Sequence, residues 1–275
     1  KSGKVVRVEV EVGDKVKAGQ ILAELDGADT AAQISQAEAA LESARAKLAE
    51  LKRGTREEEL RIAKTKVANV ESSLSDARLN LENTRKKADV DIKDDYNSAL
   101  SAAVKSLNIA LHALFTITDI QIAHFANYDE QGSRVSSAKA DAVLEFLGVS
   151  GAGRASNDYL SQSDGGAKLA VENAQNNPTN GNIDNALVRL KSSLQKIKSA
   201  LDAIPLISQL TATETANLNT EKNNIAGELS AISAKQQAIV VQKTINQNAI
   251  DAAQSGVNSA ENALQSAKDE LVLKE

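Results

Sequence analysis

The chain is 275 residues long, with 32 Lys and Arg against 37 Asp and Glu, no Cys and no Trp, and only 2% aromatic residues. So little bulky side chain cannot fill a thick multilayer core, but it suits narrow helix-on-helix seams where alanine lets backbones approach closely. A net charge of −5 without basic runs interleaved with aromatics excludes nucleic acid as an expected partner, and the lack of Cys is compatible with an oxidising compartment.

The first segment reads as strand. From Lys4 to Asp26 apolar and charged residues alternate, as in Val6-Arg7-Val8-Glu9-Val10-Glu11-Val12, the pattern of a strand with one buried face. Gly13-Asp14 supplies a turn and Gly19 a second bend before a short apolar strand, Ile21-Leu22-Ala23-Glu24-Leu25. Two strands are marginal alone and need more sheet over their apolar face. Residues 1–27 therefore read as half of a small β-domain. Lys1-Ser2-Gly3 leads directly into strand pattern, so no signal peptide is expected, and no run of 18 apolar residues is expected to span a membrane.

Residues 28–88 carry helical periodicity. Asp29 or Thr30 is positioned to cap the start. Ile34, Leu41 and Leu48 recur by seven with Ala37, Ala44 and Leu51 between them, and after Gly54 a new register begins at Leu60, Val67, Leu74 and Leu81, with Ala63, Val70 and Ala77 interleaved. The step from Leu51 to Leu60 breaks the heptad, so a break is expected near Gly54. Glu57, Glu58 and Glu59 suit the first turn of the renewed helix, where the dipole favours anions.

Residues 89–212 hold all three Phe and all three Tyr, which predicts an inserted helical bundle with a globular core. Tyr96, Ala99, Leu100, Ala103, Leu107, Ala110, Leu111, Leu114 and Phe115 form one stripe, followed by Ile117, Ile120 and Ile122, and Gly132-Ser133 is expected to end that element. A shorter helix with Val135, Ala138, Ala142, Val143 and Leu144 stops at Gly148, Gly151-Ala152-Gly153 forms a loop, and a third helix runs to Gln175. Asn176 to Asn182 is a dense turn cluster. A fourth helix carries Ile183, Leu187, Leu190, Leu194, Ile197 and Leu201, and Pro205 ends or kinks it.

Residues 213–275 return to a heptad. Leu218, Ile225, Ile232 and Ile239 continue into Ala253, Ala260 and Ala267, while Leu229, Val257, Leu264 and Leu271 fill the second seam position and Gln236, Lys243 and Asn246 interrupt it. An antiparallel pairing that sets Gly54 against Asn246 aligns the two imperfections and places Leu41 and Leu264 in one seam. Residues 28–88 carry 12 basic and 10 acidic side chains, and residues 213–275 carry 5 and 8, which complements this pairing by only a few tenths of a kcal/mol per exposed pair. The fold expected is mainly α: a long antiparallel coiled-coil hairpin, a helical bundle at its far end and a β stub at the N-terminus.

No catalytic, cofactor or metal site emerges. His112 and His124 are the only histidines, and twelve residues of helix separate them by roughly 18 Å, too far to share a metal. Asp89, Asp91, Asp94 and Asp95 point around a helix and read as a solvated face, with a cation site on carboxylates as the alternative. Gly148-Val149-Ser150-Gly151-Ala152-Gly153-Arg154 lacks the Lys-Ser/Thr ending and the preceding strand of a phosphate loop. No nucleophile and base stand in a shared pattern, so no enzyme activity is expected.

Val12-Gly13-Asp14-Lys15-Val16-Lys17-Ala18-Gly19-Gln20-Ile21-Leu22-Ala23-Glu24-Leu25-Asp26 resembles the first half of a lipoyl or biotinyl-type domain. Followed by Ala-rich helix, by Leu51-Lys52-Arg53-Gly54-Thr55-Arg56-Glu57-Glu58-Glu59-Leu60 and by the closing run Ala260 to Leu271, it is similar to HlyD-like membrane fusion proteins, over about residues 3–90 and 215–275. The family are periplasmic adaptors of bacterial efflux and secretion systems. Lipoyl carriers modify a Lys on the hairpin joining their halves; Gly27-Ala28-Asp29-Thr30 has none and Lys47 lies well inside the helix, so no carrier role and no cofactor are implied, and Lys15 and Lys17 are expected as exposed strand residues.

The resemblance implies a non-enzymatic adaptor in the periplasm or extracytoplasmic envelope, tied to the inner membrane by a segment outside residues 1–275. Several copies would bridge an ABC-type or proton-driven inner-membrane transporter to an outer-membrane channel. Residues 89–212 depart from the family, whose hairpin closes in a short loop; this puts tip-to-tip docking in doubt and leaves a different outer partner, or an envelope without an outer-membrane channel, as an alternative. The alternative is a structural or receptor-type coiled coil whose bundle binds a ligand or surface partner.

Overall fold

A computed structural model describes residues 3–54, 57–126, 129–149, 164–207 and 209–275. It divides into two compact units, Lys1–Ser72 with Asn262–Glu275 and Ser73–Glu261. The chain is mainly α, with one small antiparallel sheet.

In the first unit, β1 (Val5–Val8) pairs with β2 (Ala23–Leu25), Val5 opposite Leu25 and Val8 opposite Ala23. The Glu9 N–H donates to the Leu22 carbonyl at 3.0 Å and the Asp26 N–H to that of Lys4 at 2.7 Å. Between the strands stand two tight turns, at Gly13 (φ +116°) and Gly19 (φ +92°). Each is clamped by a side chain: Asp14 accepts from the Glu11 N–H at 2.9 Å and Gln20 from the Lys17 N–H at 3.1 Å. The strands are shorter than the alternation predicts because these turns occupy its middle, so Lys15 and Lys17 lie in the connection and not on a strand. Val5, Val6, Val8, Ile21, Leu22 and Leu25 are all exposed.

Helix α1 (Ala28–Arg53) starts at Gly27 without a side-chain cap on its own turn. The carboxylate of Asp26 takes the Ala28 N–H at 3.0 Å, so the helix is already under way at the residues expected to cap it, Asp29 and Thr30. It ends at Gly54, φ +67°, at the expected break. Its heptad stripe buries nothing: Ile34, Leu41 and Leu48 are each about half exposed. The shared seam expected for Leu41 and Leu264 is therefore not formed.

Helix α2 (Glu57–His124) opens on Glu57, Glu58 and Glu59, as its dipole favours. Helix α6 (Ala212–Lys274) is its partner. In the first unit Ala63 and Ala267 are buried, and Lys66 meets Glu270 at 2.6 Å, Lys268 meets Glu71 at 3.6 Å and Lys274 meets Glu59 at 3.7 Å.

The second unit contains the rest of α2, helices α3 (Glu130–Leu147), α4 (Gly166–Asn176) and α5 (Asn180–Ala203), and α6 up to Glu261. Leu74, Leu81, Leu218, Ile225, Ile232, Ile239, Ala253 and Val257 are buried on the predicted phase. The register differs from the one expected. Asn246 donates its amide to the Ala88 carbonyl at 2.8 Å, so it faces Ala88 and not Gly54, and Arg78 meets Glu261 at 2.8 Å. In this register the large Leu218, Ile225 and Ile232 share one buried core with the small Ala99, Ala103, Ala110 and Ala113 of α2. Accordingly α2 crosses residue 88, the expected end of the arm, without interruption and continues to His124.

Helices α3 and α4 both pack on α5, burying Val135, Phe146, Leu147, Val171, Leu187, Leu190, Leu194 and Ile197. Gly132 does not end an element. It lies in the first turn of α3, where its N–H donates to the Asp129 carboxylate at 2.6 Å. Removing this cap in Asp129→Ala is expected to cost about 1 kcal/mol, lowering the melting midpoint by about 2–4 °C in calorimetry. The predicted stop at Gly148 holds, in a left-handed cap. Only Asn177–Thr179 of the turn cluster lies between α4 and α5, and Thr179 caps α5 through the Asn182 N–H at 3.2 Å. Ile204 is extended ahead of Pro205, as a residue before proline must be. The predicted loop Gly151-Ala152-Gly153 lies outside the described residues.

The chain holds a run more apolar than expected. Within Ala28–His124 one 18-residue window reaches a mean hydropathy of 1.4, long and apolar enough to cross a membrane by length and composition; 33% of it is buried inside the protein. Ala110, Ala113, Leu114 and Ile117 of α2, fully buried in the bundle core, give such residues a protein environment.

Candidate functional site

Polar stations interrupt the apolar seam between α2 and α6 in the second unit. The strongest is Glu228, 6% exposed. Its carboxylate accepts from Lys105 Nζ at 2.7 Å and from Ser106 Oγ at 2.6 Å. Burial pushes the carboxyl up, but the two donors outweigh it and hold the group below the usual range.

Glu221 is the second buried acid. Its surroundings are sparse: His112 Nδ1 stands 4.0 Å away and the Asn224 amide donates at 3.5 Å. A cleft of about 340 Å³ opens there, lined by Asn108, Ile109, His112, Glu221 and Asn224. His112 projects largely into solvent, while His124 is mostly covered.

His124 closes the start of α6. Its Nε2 lies 2.9 Å from the Glu214 carboxylate, which also accepts from the Thr211 backbone N–H and hydroxyl, both at 2.8 Å. Thr211 Oγ1 in turn accepts from the Glu214 N–H at 3.1 Å. This is a capping box. The Thr211 N–H, His124 and the Thr211 hydroxyl hold the Glu214 carboxyl at about 2.

Where α5 meets α2 and α6, Tyr96 donates its hydroxyl to Asp184 at 2.9 Å. Lys243 sits 3.8 Å from the same carboxylate and 5.3 Å from the centre of the Tyr96 ring. Burial, chiefly, pushes the Tyr96 hydroxyl up. Lys139 on α3 is buried against the Gln121 amide oxygen at 2.9 Å, and burial pulls its ammonium down.

The histidines stand in separate stations with separate carboxylates. The Asp89, Asp91, Asp94 and Asp95 set does not converge: Asp91 pairs with Lys87 at 2.6 Å, and Asp89 and Asp94 are exposed. Among the described residues no three His, Cys, Asp or Glu side chains gather as a metal group. Lys47 is exposed on α1. Of the Gly-rich stretch 148–154, Gly148 is a helix cap and residues 150–154 lie outside the described residues. The buried acids Glu221 and Glu228 are not singled out by the heptad pattern, in which Leu229 fills the second seam position. The signal that could have found them is their seven-residue spacing in phase with the same spacing of Lys105 and His112.

No family model and no solved structure matches the chain. A stretch of 74 residues is 38% identical to the UPF0194 membrane protein YE2891 of Yersinia enterocolitica. Part of this chain is similar to part of a membrane protein. The shared stretch covers 27% of the chain, which spans under a quarter (23%) of that relative.

Proposed function

We propose that the chain is the strut of a membrane fusion protein of the HlyD type: a non-enzymatic periplasmic adaptor that couples an inner-membrane transporter, ABC-type or proton-driven, to an outer partner during export. The observation that carries this reading is the order of parts. A two-stranded sheet with an exposed apolar face leads into heptad helix, and α2 returns as α6 in antiparallel register. Similarity to a membrane protein supports an envelope location. The exposed Val6, Val8 and Leu25 suit completion by further strands into a lipoyl-like sandwich near the inner membrane. Force and position, not chemistry, pass along the paired helices, while the transporter handles the substrate. Several copies would surround the conduit. The α3–α5 bundle replaces the short docking turn of the family, so the outer partner binds a helical surface, with an outer-membrane channel as one such partner.

The test is in-cell crosslinking of the full-length protein in its own host, with a photoreactive residue at Val6 or Ile21. Mass spectrometry is expected to identify an inner-membrane transporter in the product, and deletion of the protein is expected to abolish that transporter's export. Crosslinks restricted to other envelope proteins, with export intact, overturn the reading.

A further inference from the structure

The two buried acids on α6 occupy equivalent positions one heptad apart, Glu228 and Glu221, and their partners on α2 are likewise one heptad apart, Lys105 and His112. The first station is complete, with an ammonium at 2.7 Å and a hydroxyl at 2.6 Å neutralising and hydrogen-bonding Glu228. At the second, Ala113 stands where Ser106 supplies its hydroxyl, and an imidazole stands where Lys105 supplies its charge. Glu221 is almost as buried as Glu228, yet its nearest polar contacts are 3.5 Å and 4.0 Å away. Glu221 lines the open cleft, and among the described residues His112 is the group able to carry positive charge within 4.0 Å of its carboxylate. The side chains that differ at this station, His112, Asn108 and Asn224, are all potential ligand donors, and they face an open cleft.

We propose that this cleft binds a divalent transition-metal ion, held by His112 and Glu221 with amide oxygens of Asn108 and Asn224 or water completing the shell. The dimensions agree. Metal–nitrogen and metal–oxygen bonds of about 2.0–2.2 Å allow two ligand atoms on one ion to lie up to roughly 4.3 Å apart, and His112 Nδ1 and Glu221 Oε1 are 4.0 Å apart. Tetrahedral closure brings such a pair to roughly 3.4 Å, a small torsion for a side chain as exposed as His112. Asn108 lies one turn from His112 on α2, and Asn224 lies three residues from Glu221 on α6, so both reach the same groove. Turning the Asn224 amide over presents its oxygen in place of its nitrogen. Imidazole beside a single carboxylate favours zinc, nickel, cobalt or copper over magnesium or calcium. The ion would bridge α2 and α6 at the second station, as Lys105 does at the first.

The test is titration of the intact chain with Zn²⁺ by calorimetry, and with Co²⁺ followed by its visible absorption. One equivalent is expected to bind and to raise the melting temperature. His112→Ala, at an exposed side chain, leaves the fold intact and is expected to weaken binding about tenfold or more and to cancel the thermal shift. Glu221→Gln is expected to do the same, and His124→Ala to change neither. No Zn²⁺ binding, binding indifferent to His112→Ala, or equal loss in His124→Ala overturns the proposal. Its failure leaves the adaptor reading standing, because that reading uses no metal.

Discussion

Gly166→Ala is expected to destabilise the second unit by about 2–5 kcal/mol, as read from urea unfolding by circular dichroism. The α3–α4 junction explains the size. Gly148 at φ +77° and Gly166 at φ +65° lie against each other's backbone. A Cβ on Gly166 would stand 2.5 Å from the Phe146 carbonyl oxygen and 2.6 Å from the Gly148 nitrogen, all of it backbone and none able to swing aside. The left-handed conformation costs an L-residue about 1–2 kcal/mol, and forced overpacking adds about 1–3 kcal/mol. Nearby, the Asp164 N–H donates to the Leu147 carbonyl at 3.0 Å, and Phe146, Leu147, Ala167 and Val171 are fully buried, so the junction cannot widen without opening the core. Gly148→Ala meets the Gly165 backbone at 2.6 Å and should behave alike. Gly181→Ala is the control. Nothing lies within 4 Å of its Cβ, and in helix α5 alanine is the better former, so no loss is expected. Equal stability of Gly166→Ala and Gly181→Ala would remove this account of the junction.

Much of this fold is legible from periodicity, and the limits of periodicity explain the rest. The heptad phases through Leu74 and Leu81, and through Leu218, Ile225, Ile232 and Ile239, are the phases the structure buries. A repeat of seven does not say which heptad faces which. Pairing Gly54 with Asn246 matches two small imperfections, whereas close packing is a stronger demand, and the core gathers bulky isoleucines together with the alanines of α2. Stripe and burial are also different things: Ile34, Leu41 and Leu48 keep perfect spacing and remain half exposed. Turn chemistry reads well where side chain and backbone agree, as at Gly13-Asp14 and Gly148. It misleads at Gly132, where an aspartate three residues earlier converts a breaker into a capped first turn. The stations were the least visible, because glutamate in a seam position looks like a solvated face until its partner across the seam is known.

Breaking the Glu228 station is the other large effect. In Lys105→Met with Ser106→Ala, the Glu228 carboxylate loses both donors while remaining mostly covered, and because Lys105 itself is largely exposed stability at neutral pH is expected to fall by about 1–3 kcal/mol. Adding Glu228→Leu removes the orphaned charge, and the triple variant is expected to return to within about 1 kcal/mol of the parent. The pH dependence separates this from a packing defect. In the parent, Lys105 and Ser106 outweigh burial and lower the folded carboxyl, so its stabilisation is present above the ordinary glutamate range and is lost as pH falls through the lowered value. In the double variant burial alone remains and raises the folded carboxyl. Its contribution is then present below the ordinary range and disappears as pH rises through the raised value. Acidification from neutral pH should therefore narrow the gap between parent and double variant, while the triple variant shows neither trend. A gap that stays constant from neutral pH to about pH 4, the ordinary glutamate range, would mean that lost packing, and not an uncompensated charge, sets the cost.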